Sequence, residues 1–152
     1  MRVMLLSTIL IVATGCGEKK APVPSQAGQA AAPAPPATPT GPVVEVRMTG
    51  DGTSKAAFEP RALTIARGTI VRFINVSGGP HNVAFWPDSV PQGGRDALKR
   101  GMPDQMTDLT GPFLTRSNER YDVSFGGAPA GMYVGYCQPH LVLGMRIAIT
   151  VK

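Results

Sequence analysis

Apolar and polar residues alternate with a period of two in several short segments of this chain, all of them after residue 42. The alternating apolar positions are Val44, Val46 and Met48; Leu63 and Ile65; Val71 and Phe73; Tyr121, Val123 and Phe125; and Met145, Ile147, Ile149 and Val151. A period of two places every second side chain on one face of a strand, so each segment predicts a half-buried β-strand. Turn signals separate the segments at Gly50-Asp51-Gly52, Gly78-Gly79-Pro80 and Gly126-Gly127. These strands place the folded part of the chain in the all-β class.

Helix signals are nearly absent from the same region. Arg95–Arg100 is the one helix-like candidate, and it lies in a stretch rich in Gly and Pro. Residues 43–152 number about 110, which is enough for one domain with a hydrophobic core and too few for two. Many short strands in a domain of this size predict an antiparallel Greek-key β-sandwich.

Residues 1–15 predict a signal peptide. Arg2 precedes an apolar stretch, Val3–Ala13, that is well short of the roughly 20 residues needed to span a bilayer as a helix. Cys16 follows directly, and Ala-Thr-Gly-Cys resembles the lipobox of bacterial lipoproteins, in which the Cys is lipidated and becomes the mature N-terminus. We therefore expect an exported lipoprotein, anchored to a membrane and facing the periplasm or the cell exterior. The alternatives are an ordinary signal cleaved near Ala13 or an uncleaved N-terminal anchor.

A tether is predicted between Cys16 and the domain, over residues 16–42. Pro and Ala occupy 14 of the 22 positions from residue 21 to residue 42. Such a composition favours extended chain without fixed structure, and some 25 residues of it span on the order of 75 Å. The tether would give the domain reach from the membrane.

The distribution of charge excludes some classes of partner. The net charge is +5, but residues 43–152 carry 12 basic and nine acidic residues, and the basic residues form no block longer than the pair Lys99-Arg100. Nucleic-acid binding needs clustered Lys and Arg, so we expect no nucleic-acid partner. A mildly basic surface favours an acidic protein or a membrane instead.

The chain has two cysteines, Cys16 and Cys137. If Cys16 carries lipid, Cys137 has no partner within the chain for a disulfide. Exported compartments oxidise free thiols, so an unpaired cysteine there needs protection. Binding to a metal ion would protect Cys137.

Four residues make a candidate metal site. Cys137, His140 and Met145 follow one another closely along the chain, and His81, the only other histidine, lies after the Gly-Gly-Pro turn. Cys137 would end one strand and Met145 begin the next, so that the loop between them folds three donors around one ion. Two imidazoles, a thiolate and a weak axial thioether are the ligands of a mononuclear copper site that exchanges electrons.

These residues resemble those of the small blue-copper proteins, or cupredoxins, and among them the plastocyanins. The resemblance covers residues 43–152, and the Cys-x-x-His-x-x-x-x-Met spacing is the plastocyanin spacing. It implies one copper ion per domain and a cupredoxin-like sandwich. It is densest in Val71–Asn75, Pro80–Phe85, Tyr133–His140 and Gly144-Met145.

The resemblance also implies roles for residues around the ligands. Asn82 would link the ligand loops and form hydrogen bonds near the sulfur, with Pro80 beside it. Pro139 has no N–H and so cannot donate a hydrogen bond to the thiolate. His140 would be the electron port, with Tyr136 as a second route.

The ligand loop carries three consecutive apolar residues, Leu141, Val142 and Leu143. They cannot all point inward, so at least one should reach solvent beside His140 and form a docking patch with Gly79 and Pro80. The alternative is that all three shield the copper from water.

The sequence thus predicts a one-electron carrier that is monomeric, is not an enzyme and exchanges electrons with redox proteins. Multicopper oxidases and copper nitrite reductases need further histidines, and both histidines of this chain are already used. A copper storage or delivery protein using the same site is the main alternative. A surface-adhesion sandwich with vestigial ligands is a third possibility.

Overall fold

A computed structural model describes residues 40–152 of the chain. The predicted signal peptide, Cys16 and all but the last three residues of the predicted tether lie outside the described residues. The elements are β1 (Val43–Gly50), β2 (Ala56–Glu59), β3 (Ala62–Ile65), β4 (Ile70–Asn75), β5 (Ala84–Phe85), α1 (Gly94–Gly101), β6 (Arg120–Ser124), β7 (Gly131–Tyr136) and β8 (Arg146–Val151).

The strands form two four-stranded sheets that pack as a sandwich. Sheet I has the order β2-β1-β4-β6, and sheet II has the order β3-β8-β7-β5. The predicted β-sandwich is confirmed, but its strand pairing is mixed and not wholly antiparallel. β1 pairs with β4 in parallel, and β3 pairs with β8 in parallel. Period-two alternation is common to both kinds of pairing, so the sequence pattern does not distinguish them.

The core lies between the sheets and contains the alternating apolar residues. Val46 and Phe73 from sheet I and Ile147 and Ile149 from sheet II are all buried. Their polar neighbours along each strand face solvent or the sheet edge, which is the alternation expected of a half-buried strand. Aromatic rings fill the centre edge to face, as where Phe73 meets Phe58 with ring centroids 5.8 Å apart.

The one predicted helix is present as α1, whose residues Ala97 and Leu98 are buried against the core. Arg95 and Lys99 on its outer face form ion pairs with Asp108, at 2.7 and 3.2 Å. Among residues 40–152, no helix is both long and apolar enough to cross a membrane.

Candidate metal centre

Three predicted ligands meet at one end of the sandwich. The donor atoms of His81, Cys137 and His140 all lie within 4.8 Å of one another. The Cys137 Sγ is 3.7 Å from Nδ1 of His81 and 3.5 Å from Nδ1 of His140. All three side chains are buried, and so is Met145. The structure therefore brings together residues that lie 56 positions apart in the chain.

The loop from Cys137 to Met145 is closed by its own backbone. The Cys137 N–H donates to the Met145 carbonyl at 3.1 Å, and the Met145 N–H donates to the His140 carbonyl at 3.2 Å. Leu141–Leu143 forms a 3₁₀ turn that ends at Gly144, whose φ of 75° is in the left-handed region that glycine tolerates best. This tight loop is what places a thiol, an imidazole and a thioether around one point.

His81 is held from the opposite side by a segment that the sequence did not indicate. Its N–H donates to the Leu114 carbonyl at 3.0 Å, and the Leu114 N–H donates to the His81 carbonyl at 2.7 Å. On the ring, Nε2 lies 2.9 Å from the Ser77 carbonyl. Because a carbonyl only accepts, Nε2 carries the proton and Nδ1 keeps its lone pair on the side that faces Cys137.

Asn75 supports the contact between His81 and Leu114 with a further hydrogen bond. Its Nδ2 donates to the Leu114 carbonyl at 3.0 Å, the acceptor that the His81 N–H also uses. Asn75 is buried, and its Oδ1 has no hydrogen-bond partner among residues 40–152. Asn75 ends β4 and has a polar side chain, but no sequence spacing relates it to Leu114.

Asn82 joins the two ligand-bearing loops. Its Nδ2 donates to Oε1 of Gln138 at 2.8 Å, and its Oδ1 accepts the Gln138 N–H at 2.9 Å. These two bonds form the link between the loops that the resemblance implied for Asn82. Gln138 follows Cys137 directly, and it was not identified from the sequence as the partner of Asn82.

Burial sets the protonation of the donors. Burial raises the pKa of the Cys137 thiol, while the backbone amides of Asn82 and His140 oppose that change. Burial also lowers the pKa of His81 and the pKa of His140. The histidines therefore favour the neutral form that binds metal, and a bound metal must displace only the thiol proton. A thiolate, two imidazoles and a thioether are together the donors that suit copper in both of its oxidation states.

The lowered histidine pKa values make the stability of the metal-free domain depend on pH. In the unfolded chain both histidines titrate near 6.5, so below that pH the unfolded state binds more protons than the folded state. Stability should therefore fall as pH drops through 6.5 toward the folded pKa values, by at most about 1.4 kcal/mol per pH unit for each histidine. Urea denaturation of the metal-free protein at pH 7.5 and pH 5.5 measures this. An equal free energy of unfolding at both pH values would contradict the prediction.

The predicted port and docking residues occupy the surface of this end. His140 is 7% exposed, whereas His81 is fully buried. Of the three apolar loop residues, Val142 is 92% exposed, while Leu141 and Leu143 are half-buried. Leu143 also packs against the core, so Val142 is the residue of the three that reaches solvent most fully, and a docking role for Leu141 and Leu143 stays a prediction. A 3₁₀ turn points successive side chains in different directions, and here it is the middle one that turns outward.

Pro80 and Pro139 are both exposed beside the histidines. They lie on the two loops that Asn82 and Gln138 connect. Tyr136 is half-buried and stacks on Trp86, with ring centroids 4.2 Å apart. Trp86, the only tryptophan of the chain, was not identified from the sequence. Its position directly after the Pro80–Phe85 segment is the one sequence signal that could have indicated it.

Comparison with known proteins agrees with this geometry. The family model described as copper binding proteins, plastocyanin/azurin family, matches residues 44–152. Plastocyanin from Capsella bursa-pastoris is 38% identical over 109 residues, which are 72% of this chain and 100% of that protein. Plastocyanin from Scenedesmus fuscus is 34% identical over 110 residues, covering 72% of this chain and 99% of that protein.

Solved structures show the same fold. The oxidised form of plastocyanin from Dryopteris crassirhizoma superposes with a TM-score of 0.57 at 26% identity, covering 72% of this chain and 100% of that one. The convergent donors and the length of the match give the same answer: the chain belongs to the plastocyanin/azurin family of copper-binding proteins.

Proposed function

We propose that this protein is a one-electron carrier at the outer face of a bacterial membrane, with one copper ion held by His81, Cys137, His140 and Met145. That it is a plastocyanin-like electron carrier and not an enzyme follows from its family. The single observation that carries the assignment of ligands is the convergence of the Cys137 sulfur with two imidazole nitrogens in a buried site.

When bound, the copper supplies one-electron chemistry, alternating between Cu(I) and Cu(II). The residues of the chain keep the site nearly unchanged between the two states. His81 is fixed through its backbone and its Nε2, and the two loops are fixed by Asn82. Donors that do not move reorganise little, which is what rapid electron transfer requires.

The end of the molecule around His140 supplies the electron port. His140 is the more exposed of the two histidines, and the exposed side chain of Val142 lies two residues away. With Gly79, Pro80 and the half-buried Leu141 and Leu143, Val142 completes an apolar surface suited to a small contact that dissociates readily. Tyr136, bonded to Cys137, is the second route.

Copper storage or delivery is the other function that this site allows. Delivery requires that the metal leave readily to an acceptor, which favours exposed donors. Here the sulfur is fully buried and both histidines are buried, so the site favours retention. Redox proteins are therefore the proposed partners, as electron donor and acceptor.

An optical and redox titration of the copper-loaded protein tests the proposal. A carrier should show an intense visible band when oxidised, lose it on addition of one electron equivalent, and regain it on reoxidation. Its copper should also resist a chelator during this cycle. A protein that stays colourless after copper loading and oxidation would refute the carrier function, and rapid loss of copper to the chelator would favour delivery.

Met145→Leu tests whether the Met145 thioether would contribute to holding the copper. The thioether slightly favours Cu(II), so its removal should raise the reduction potential, by on the order of 60 mV if the relative affinity for the two oxidation states changes tenfold. The variant should keep its copper, because three donors remain and Leu has nearly the volume of Met. Potentiometric titration gives the value. A lowered potential, or loss of the copper, would argue against Met145 as the weak thioether ligand.

Membrane attachment is proposed to depend on lipid at Cys16. Cys16→Ser removes the acceptor thiol, so the variant should leave the membrane fraction while its visible spectrum stays that of the parent. Fractionation of cells expressing both forms, with detection of the protein in membrane and soluble fractions, measures the change. If the variant stays in the membrane fraction, an uncleaved N-terminal anchor replaces lipidation as the explanation.

A further inference from the structure

The imidazole ring of His81 needs a constraint that its main chain does not supply. The hydrogen bonds between His81 and Leu114 hold the main chain of His81, but they do not restrict rotation about its side-chain bonds. The outer torsion of a histidine side chain has broad minima, so its main chain does not fix the plane of the ring. The contact between Nε2 and the Ser77 carbonyl at 2.9 Å supplies that constraint. The direction of the ring therefore depends on where the Ser77 carbonyl lies.

The Ser77 carbonyl belongs to the loop that follows β4. Just before it, the Val76 N–H donates to the Met48 carbonyl at 2.8 Å. The Ser77 N–H lies 3.5 Å from the same carbonyl, a distance at which a hydrogen bond is weak. Directly after Ser77 the chain turns at Gly78, whose φ is 73°. The main chain is therefore held less firmly at Ser77 than at Val76.

The Ser77 side chain supplies the stronger attachment. Its hydroxyl donates to the Gly50 carbonyl at 3.1 Å and accepts the Gly50 N–H at 3.3 Å. A hydroxyl has one donor and two acceptor sites, so it makes both bonds at once. The parallel pairing of β1 with β4 extends to Met48 and Asn75, and the hydroxyl attaches the loop to β1 two residues further on.

The loop also lies in direct contact with Gly50. A Cβ atom at Gly78 would overlap the main chain of Gly50, so the two main chains approach as closely as glycine allows. This approach puts the peptide groups of Gly50 within reach of the short Ser77 side chain. Through its hydroxyl and its carbonyl, Ser77 alone therefore links β1 to the ring of His81.

The other three proposed ligands are held by sheet II. Cys137, His140 and Met145 lie between β7 and β8, and the Cys137 N–H donates to the Met145 carbonyl. Ser77 instead ties the His81 ring to β1, which belongs to sheet I. The distance of 3.7 Å between Nδ1 of His81 and Sγ of Cys137 thus joins groups that different sheets support. A displacement of the Ser77 carbonyl would change that distance.

We propose that the Ser77 hydroxyl positions His81. By holding the Ser77 carbonyl against Gly50, it directs Nδ1 toward Cys137 and so contributes to the reduction potential of the site. This proposal rests on the proposed function, in which His81 is a ligand. Ser77 itself is a positioning residue, because it acts through the ring of His81.

The expected direction of the effect follows from the donor strength of the ring. An imidazole whose other nitrogen donates to a firmly held carbonyl is a stronger metal donor. A stronger imidazole donor favours Cu(II) over Cu(I). Loosening the Ser77 carbonyl should therefore favour Cu(I) and raise the reduction potential.

Three variants test this role. Ser77→Ala removes the hydroxyl, and Ser77→Thr keeps a hydroxyl on a slightly larger side chain. Ser117→Ala is the matched control, because the Ser117 hydroxyl donates to the Val76 carbonyl of the same loop, at 3.1 Å, and leaves the bonds to Gly50 in place. Ser77 and Ser117 are both exposed, so all three variants should keep the fold.

The first measurement uses the full-length protein without metal. Nitrogen-15 NMR follows the exchange of the His81 Nε2 proton with water. Ser77→Ala should speed this exchange at least about threefold, the factor that corresponds to a hydrogen bond of ordinary net strength. Ser77→Thr and Ser117→Ala should stay close to the parent. Equal exchange in Ser77→Ala and the parent would overturn the proposal, and so would an equal effect of Ser117→Ala.

The second measurement is the reduction potential of the copper-loaded protein. Ser77→Ala should raise it by about 30 mV if the affinity for Cu(II) relative to Cu(I) falls threefold. Ser77→Thr should restore the parent value, and Ser117→Ala should not change it. A lowered potential, or an unchanged one in a variant whose Nε2 proton exchanges faster, would overturn the effect of Ser77 on the metal.

Failure of the two proposals can be told apart. If the oxidised protein has no intense visible band, the carrier function fails, but proton exchange in the metal-free protein still decides whether Ser77 positions the ring. If the band is normal and Ser77→Ala changes neither the exchange nor the potential, only the positioning role of Ser77 fails.

Discussion

Cys137→Ser should abolish the intense visible absorption of the oxidised, copper-loaded protein. That absorption comes from charge transfer between a thiolate and copper, and Cys137 supplies the only thiol among residues 40–152. A serine hydroxyl keeps about the same volume but is a hard, weakly acidic donor that does not replace a thiolate. We expect loss of nearly all of the band, with residual copper bound weakly by His81 and His140.

Cys16→Ser is the matched control, because it removes the other cysteine of the chain and should keep the full band. Circular dichroism in the far ultraviolet should show an unchanged β-sandwich in both variants, since the serine is close in size to the buried thiol. The buried serine hydroxyl should lower the free energy of unfolding of the Cys137 variant by about 1–3 kcal/mol. An intense band in folded, copper-loaded Cys137→Ser protein would mean that the ligand assignment is wrong.

The parts of this fold that could be predicted are those governed by local periodicity. β1, β6 and β8 bury every second residue, and β4 does so from Val71 onward, so their apolar residues alternate in the chain. β2 has the weakly strand-forming sequence Ala-Ala-Phe-Glu, and β5 has only two residues, so neither carries a full period. The parallel pairing of β1 with β4 depends on the path of the chain between the sheets, which no single strand specifies.

The metal site likewise has parts that the sequence predicts and parts that it does not. The four donors were predictable because a chain with two histidines and one domain cysteine leaves few combinations, and three of the donors lie on one short loop. The supporting contacts were not. Asn75 reaches His81 only by way of the Leu114 carbonyl, and Gln138 meets Asn82 only because two distant loops converge. Such contacts depend on tertiary structure, and an isolated polar residue in a loop gives no sign of its partner.

The position of Arg146 beside Tyr136, whose ring stacks on Trp86, shows how strand register creates a contact that sequence inspection misses. Tyr136 and Arg146 are ten residues apart, but they become neighbours because β7 and β8 pair antiparallel across the ligand loop. A shift of this pairing by one residue would send the side chains of β8 to the opposite face. The same loop length that gathers the metal donors therefore also aligns the aromatic surface outside them.

Removing copper should lower the thermal stability of the domain by a large amount without unfolding it at room temperature. The donors converge only in the folded chain, so the metal binds the native state and stabilises it through mass action. At a free copper concentration one thousand times the Kd, this stabilisation is about 4 kcal/mol. For a domain of about 110 residues, 4 kcal/mol corresponds to a change in Tm of roughly 15 °C.

The metal-free domain should nevertheless stay folded, because its core is built from both sheets and does not include the metal. The hydrophobic cluster around Phe58, Phe73, Phe125 and Tyr133 is fully buried away from solvent. Calorimetry of the copper-loaded protein, the chelator-treated protein and Cys137→Ser with copper present separates the contributions. We expect copper to raise the Tm of the variant only slightly, because the thiolate contributes most of the affinity, and we expect the variant to melt below the chelator-treated parent because of its buried hydroxyl.

The stabilisation by copper should also depend on pH, and it should weaken as pH falls because the buried Cys137 thiol holds its proton. Burial raises the pKa of the Cys137 thiol, so copper must displace its proton, and each fall in pH favours the proton over the metal. The difference in Tm between loaded and metal-free protein should therefore shrink as pH decreases from 8 toward 6. A difference that is constant over this range would mean that no proton is displaced, and Cys137 would then not bind the metal as a thiolate. Equal Tm values with and without copper at pH 8 would refute the metal site itself.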